Sequence, residues 1–240
     1  MSKVHQEEII CPKCQSKGEF DLWESMNVDL NPELRKKVFS DEAFIYTCPN
    51  CGHRTGVPYG TLYHDMTHHF MLFFDFFKPD DYDYEPIDIP NLPNQDNYIY
   101  RHVTGLWRLK EKIIILEKGL NDIAIERMKY MLTHIVHPEM AEKGFELYFG
   151  DVEYDNEKLS DDGSMTFFFH NENDETMEWS VSMKMYYEQC LACDLDPRMK
   201  VEGIMNVDEG WIARQLKKGT GGAKKRRHIM AGFSSGNVVS

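Results

Sequence analysis

Two short stretches decide how this chain is read: Cys11-Pro12-Lys13-Cys14-Gln15 and Cys48-Pro49-Asn50-Cys51-Gly52. They are two copies of one device. Two thiolates spaced by two residues can grip one ion from the same side when the loop turns tightly. Proline after the first cysteine presets φ and removes one amide, and a small or flexible residue after the second lets the backbone fold over the sulfurs. Two such knuckles facing each other place four sulfurs about 2.3 Å from a shared zinc ion. The predicted ligands are therefore Cys11, Cys14, Cys48 and Cys51, with structural zinc as the cofactor. Four thiolates leave no open coordination position, which argues against catalytic zinc. The 33 residues between the pairs exceed the usual spacing of about 15–20. An inserted strand, helix and strand account for the excess.

Residues 19–23 alternate as a short strand. A helix start follows: Asn31 suits the N-cap, Pro32 the first helical position, and Glu33 the positive end of the dipole. Leu34, Val38 and Phe39 supply its apolar stripe. Residues 43–47 return as a strand into Cys48. Residues 56–63 and 69–77 read as two strands joined by the hairpin turn His64-Asp65-Met66-Thr67. Residues 78–97 hold Pro79, Pro86, Pro90 and Pro93 among several aspartates and Glu85, a composition that blocks regular structure and extends the chain.

Residues 104–118 then place Leu106, Leu109, Ile113 and Leu116 at helical spacing, with Gly119 as C-cap. Asn121 or Asp122 caps a second helix carrying Ala124, Met128, Met131 and Ile135, widened by Ile125, Leu132 and Val136. Residues 146–154, 165–170 and 177–187 read as three strands, the last from the alternation of Trp179, Val181, Met183 and Met185 with polar residues. Asp161-Asp162-Gly163 is a predicted turn. Residues 207–216 form a last short helix.

The fold class is thus α+β. A zinc-ribbon-like β domain with an inserted helix spans 1–78, and an acidic Pro-rich connection spans 79–103. A helical hairpin plus a small antiparallel sheet spans 104–216, and a basic disordered tail spans 217–240.

Charge divides the chain sharply. Seven of its 27 basic residues follow Glu209, where no acid remains, so residues 1–210 hold 20 bases against all 40 acids, a net charge of −20. Such a body repels nucleic acid and anionic membranes. Around the knuckles, Lys13, Lys17, Arg35, Lys36, Lys37 and Arg54 are balanced by seven acids. Only the tail carries the electrostatic footprint of a nucleic-acid binder. The first residues are polar, and the apolar run 70–74 is far too short to span a bilayer. The expected compartment is the cytoplasm, where thiols stay reduced and paired cysteines read as metal ligands before disulfides.

The paired Cys-Pro-x-Cys motifs are accompanied by Asn27-Val28-Asp29, Asn31-Pro32-Glu33-Leu34, Leu62-Tyr63-His64-Asp65, Glu111-Lys112-Ile113 and Gly119-Leu120-Asn121-Asp122. In these features the chain resembles the CpXC domain proteins over residues 5–215. That family has no established activity, so the resemblance implies the domain and its cysteine pairs and nothing about a reaction. Gln15 stands where the family pattern would have a glycine, which matters little if its φ is negative.

Cys190-Leu191-Ala192-Cys193 reads as two buried thiols, with a dithiol switch or half of a shared metal site as the functional alternatives. His64 and Asp65, with His68 and His69, could form an acid–base or metal cluster. Adjacent residues on a strand point to opposite faces, which favours a turn-shaping role. Recognition of a partner would fall to aromatics such as Trp23 or Tyr59. The expectation is a zinc-stabilised cytoplasmic binding or regulatory protein with a protein partner, no membrane and no assigned catalytic residue. The alternatives are a metal-containing hydrolase or other enzyme using His64 and Asp65, and nucleic-acid binding through the tail.

Overall fold

In the computed structural model the described residues are 1–80, 82, 84–87, 97–153 and 163–217. The tail beyond Lys217 and the turn at 161–162 lie outside them.

Two long strands, β1 (Lys3–Ile10) and β2 (Lys17–Asn27), form an antiparallel arm joined by the first cysteine loop. The next elements are α1 (Glu33–Phe39) and a small hairpin of β3 (Ile45–Thr47) and β4 (Arg54–Gly56), whose turn is the second cysteine loop. A second hairpin follows, β5 (Thr61–Asp65) with β6 (Phe70–Asp75), and then β7 (Ile99–Thr104). The five-stranded sheet runs β1-β2-β5-β6-β7. β5 and β6 are antiparallel, whereas β2–β5 and β6–β7 are parallel.

The helices α2 (Leu106–Glu117) and α3 (Asp122–Met131) form the hairpin that the sequence predicts, with Gly119 at φ +66° between them. The Asn121 side chain accepts from the amides of Ile123 and Ala124, so it is the N-cap. A π turn over Leu132–Val136 and α4 (Pro138–Glu142) lead into the antiparallel sheet of β8 (Tyr148–Glu153), β9 (Ser164–His170) and β10 (Thr176–Ser182). The described residues end with α5 (Met183–Leu195) and α6 (Glu209–Lys217).

One apolar core lies under the large sheet. It joins Met26, Leu34, Phe44, Tyr63, Leu72 and Phe74 to Leu109 and Ile113 of α2. A second core gathers Ile115, Met128, Phe149, Phe167, Met183 and Trp211. Helix α2 therefore contributes to both, with Ile115 turned away from the Leu109 and Ile113 face.

Several expectations need correction. β10 ends at Ser182, whose hydroxyl accepts from the Lys184 amide. That cap starts a helix, so Met183 and Met185 are helical rather than alternating. Helix α1 has no side-chain cap: Asn31 donates instead to Glu33, 3.1 Å away. The apolar face of α3 continues to Leu132 at the start of the π turn, and the turn then leaves Ile135 and Val136 at 62% and 52% exposure. The predicted strand over 56–63 divides between β4 and β5. β1 and β7 carry no strong alternating pattern, and β7 falls inside the stretch 79–103 expected to be a connection.

Candidate metal centre

The two cysteine loops are structurally equivalent. Each has six residues, 11–16 and 48–53, between strand ends paired as Ile10 with Lys17 and Thr47 with Arg54. In the first, Cys11 N donates to Ser16 O at 2.9 Å and Gln15 N to Cys11 O at 2.9 Å. In the second, Cys48 N donates to His53 O at 2.8 Å and Gly52 N to Cys48 O at 2.9 Å. The residue after each second cysteine is left-handed, Gln15 at φ +62° and Gly52 at φ +68°. The condition placed on Gln15, a negative φ, is therefore not met. A side-chain residue in this region costs roughly 1–2 kcal/mol. The Gln15 amide donates to Pro12 O at 3.3 Å, which helps hold the turn.

The loops meet across the small core of Cys11, Tyr46, Cys48 and Val57. All four sulfurs lie within 4.8 Å of one another. Two of the close approaches run between the loops: Cys11 Sγ to Cys51 Sγ at 3.7 Å and Cys14 Sγ to Cys48 Sγ at 3.6 Å. A regular tetrahedron with its centre about 2.3 Å from each sulfur has edges of about 3.8 Å. The spacing thus matches a four-thiolate centre and is far from the S–S bond of about 2.05 Å; all six cysteines are free.

The surroundings favour thiolate. Ser16 Oγ sits 3.1 Å from Cys14 Sγ and 3.2 Å from Cys48 Sγ, and the Asn50 amide donates to Cys14 at 3.6 Å. The Ser16 hydroxyl, with its amide and Asn50, draws the Cys14 thiol down to about 5. Ser16 also lowers Cys48. Cys51 runs the other way. The His53 backbone favours its thiolate, but burial and the competing sulfurs outweigh that and push it up to about 12. The cluster accepts its first negative charges readily and resists the last, a conflict that a divalent cation removes. The Tyr46 hydroxyl is buried beside Cys48, and burial and then Cys48 raise its pKa. A charged sulfur would be its natural acceptor. The donor set therefore fits a soft or borderline metal ion held tetrahedrally.

His64 and Asp65 do not converge. Buried Asp65 accepts from the backbone and ring of His68, both at 2.8 Å, and so shapes the β5–β6 turn. His64 lies on the other face of the strand, with Asn27 at 3.4 Å and Tyr98 at 3.1 Å. An open groove of about 400 Å³ includes Asp29, Arg35, Asp65, His68 and Glu117. Its charges are already engaged: Arg35 grips Glu117 bidentately at 2.6 and 2.7 Å, and Asp29 accepts from the amides of Met66 and Thr67. Tyr59 is half-buried and donates to Ala43 O, so it is part of the packing rather than a free recognition surface. Trp23 is half-buried with Lys37 Nζ 5.6 Å from its ring. Cys190 and Cys193 lie on α5, away from the four-sulfur cluster; burial pushes Cys193 up to about 11.

Sequence reasoning missed a buried ionic network. Arg101 binds Asp122 bidentately at 2.8 and 2.9 Å, and Lys112 reaches Asp122 at 3.0 Å, Glu126 at 3.5 Å and Val207 O at 3.0 Å. Lys129 grips Glu111 at 2.9 and 3.0 Å, and Glu111 accepts from the Phe149 amide. All six residues are at most 8% exposed. Three cations face three acids, so the group is neutral. A signal existed: Lys112 follows Leu109 by three, and Lys129 falls between Ile125 and Leu132, which are apolar-stripe positions.

Among the described residues no helix is long and apolar enough to cross a membrane. No curated protein and no solved structure matches the chain. The family model described as CpXC protein matches residues 9–129, just over half of the chain, and that span includes both cysteine loops and all six members of the buried network. The chain therefore belongs to the CpXC family.

Proposed function

We propose that Cys11, Cys14, Cys48 and Cys51 bind one structural zinc ion, and that the ion clamps the two knuckle hairpins into a zinc-ribbon-like unit within a cytoplasmic binding or regulatory protein. The single observation that carries this is the sulfur geometry, two inter-loop contacts of 3.6 and 3.7 Å inside a 4.8 Å cluster. Zinc is the preferred ion because four thiolates and a closed tetrahedron are its structural signature. In this reading the partner is a protein.

The opposite faces of His64 and Asp65 remove the main support for a hydrolase built on them. The test is metal analysis by mass spectrometry on purified protein, followed by chelation. We expect one zinc per chain. Chelation should cost on the order of 10 kcal/mol of folding free energy, seen as lost circular dichroism from the N-terminal part. Protein without metal, or with an unchanged spectrum after zinc removal, would contradict the clamp.

A further inference from the structure

The pairing of the four sulfurs carries a consequence beyond metal binding. Each inter-loop pair joins one sheltered sulfur to one reachable sulfur. Cys11 is fully buried and its neighbour Cys51 is exposed; Cys48 is 1% exposed and its neighbour Cys14 is partly exposed. Each reachable thiolate therefore has a protected one within 3.7 Å, in the opposite loop. That is the arrangement of a peroxidatic and a resolving cysteine, present twice around one centre.

We propose that this centre is an oxidative modification site for hydrogen peroxide or a small organic hydroperoxide, and that oxidation ejects the metal while leaving the loops joined. The inference rests on the zinc reading above. A bound zinc ion would hold Cys51 as a thiolate, and that sulfur attacks the peroxide O–O bond and becomes sulfenic acid, releasing hydroxide. The Cys11 thiolate then attacks that sulfur, forms the Cys11–Cys51 disulfide and expels a second hydroxide. Cys14 and Cys48 repeat both steps with a second peroxide. Four thiolates are oxidised by four electrons, two peroxides are reduced, and Zn²⁺ leaves because no charged ligand remains.

Pairing between loops distinguishes this outcome from ordinary oxidative damage. A bond within one loop would leave the hairpins β1–β2 and β3–β4 unlinked. Bonds between loops replace one clasp by another and restrict the unfolded chain as the metal did. The oxidised, metal-free protein should then stay folded, and thiol reductant plus zinc should restore the starting state.

The experiment uses the full chain carrying its metal, titrated with hydrogen peroxide while a chromophoric chelator reports released zinc. Peptide mapping without reduction identifies the disulfides, including any at Cys190 and Cys193. We expect zinc release to be complete near two peroxides per chain. The mapped bonds should be Cys11–Cys51 and Cys14–Cys48, with far-ultraviolet circular dichroism retained. Zinc held through a large excess of peroxide would overturn the proposal. So would release accompanied by Cys11–Cys14 and Cys48–Cys51 bonds, or by sulfonic acids. Protein that carries no metal at the outset would overturn the zinc reading and this inference together; metal bound but insensitive to peroxide overturns the switch alone.

Discussion

Replacing Asp122 with asparagine tests the buried ionic network most directly. Asp122 is 2% exposed and takes three hydrogen bonds, two from Arg101 and one from Lys112. Asparagine keeps the shape and removes the charge. Arg101 then loses its ion pair, and Lys112 keeps the Val207 carbonyl at 3.0 Å and, as its one remaining carboxylate, Glu126 at 3.5 Å. Breaking one member of a buried pair costs about 3–5 kcal/mol, because the partner charge is left uncompensated. Typical domain stability is about 5–15 kcal/mol, so the variant should sit close to unfolding. Urea denaturation followed by tryptophan fluorescence reads the loss as a lower midpoint. The pH dependence has a definite sign. Arg101 and Lys112 outweigh burial and hold the Asp122 carboxyl well below its ordinary value. Its contribution is therefore present above the unfolded value of about 3.9 and fades as pH falls below that. Acidification through that range should narrow the gap between wild type and variant. A loss below about 1 kcal/mol, the range of exposed pairs, or a gap that widens on acidification, would refute the reasoning.

Gln15→Gly should raise stability by about 0.5–1 kcal/mol, since relief of the left-handed strain exceeds the entropy that glycine adds to the unfolded chain; a thermal melt of the metal-bound protein checks it. Gly18→Ala should destabilise the first knuckle, because a Cβ there would lie 2.1 Å from the Tyr46 hydroxyl; a weaker zinc affinity against a competing chelator is the readout. The double change Cys190→Ser and Cys193→Ser should leave the metal content per chain unaltered, as both lie outside the four-sulfur cluster; mass spectrometry of the purified variant decides.

The sequence by itself determined the elements whose cause is local. Paired cysteines around a proline specify a knuckle whatever surrounds them, and Gly119 with Asn121 specifies a helix end followed by a helix start, because caps and tight turns are settled within a few residues. Family membership followed from the same stretches. What depends on distant partners was decided only by the tertiary structure. β1 and β7 are strands because neighbours complete their hydrogen bonds, and their own side chains carry little pattern. Met183 alternates like a strand residue and lies in a helix because Ser182 caps the turn. The charges of Lys112 and Lys129 lie on apolar stripes because Asp122, Glu126 and Glu111 meet them from other turns of the chain. The approach of Cys11 to Cys51 and of Cys14 to Cys48 across the loops belongs to this class as well. Spacing along the chain brings Cys11 near Cys14, and only the packing of two hairpins brings Cys11 to Cys51.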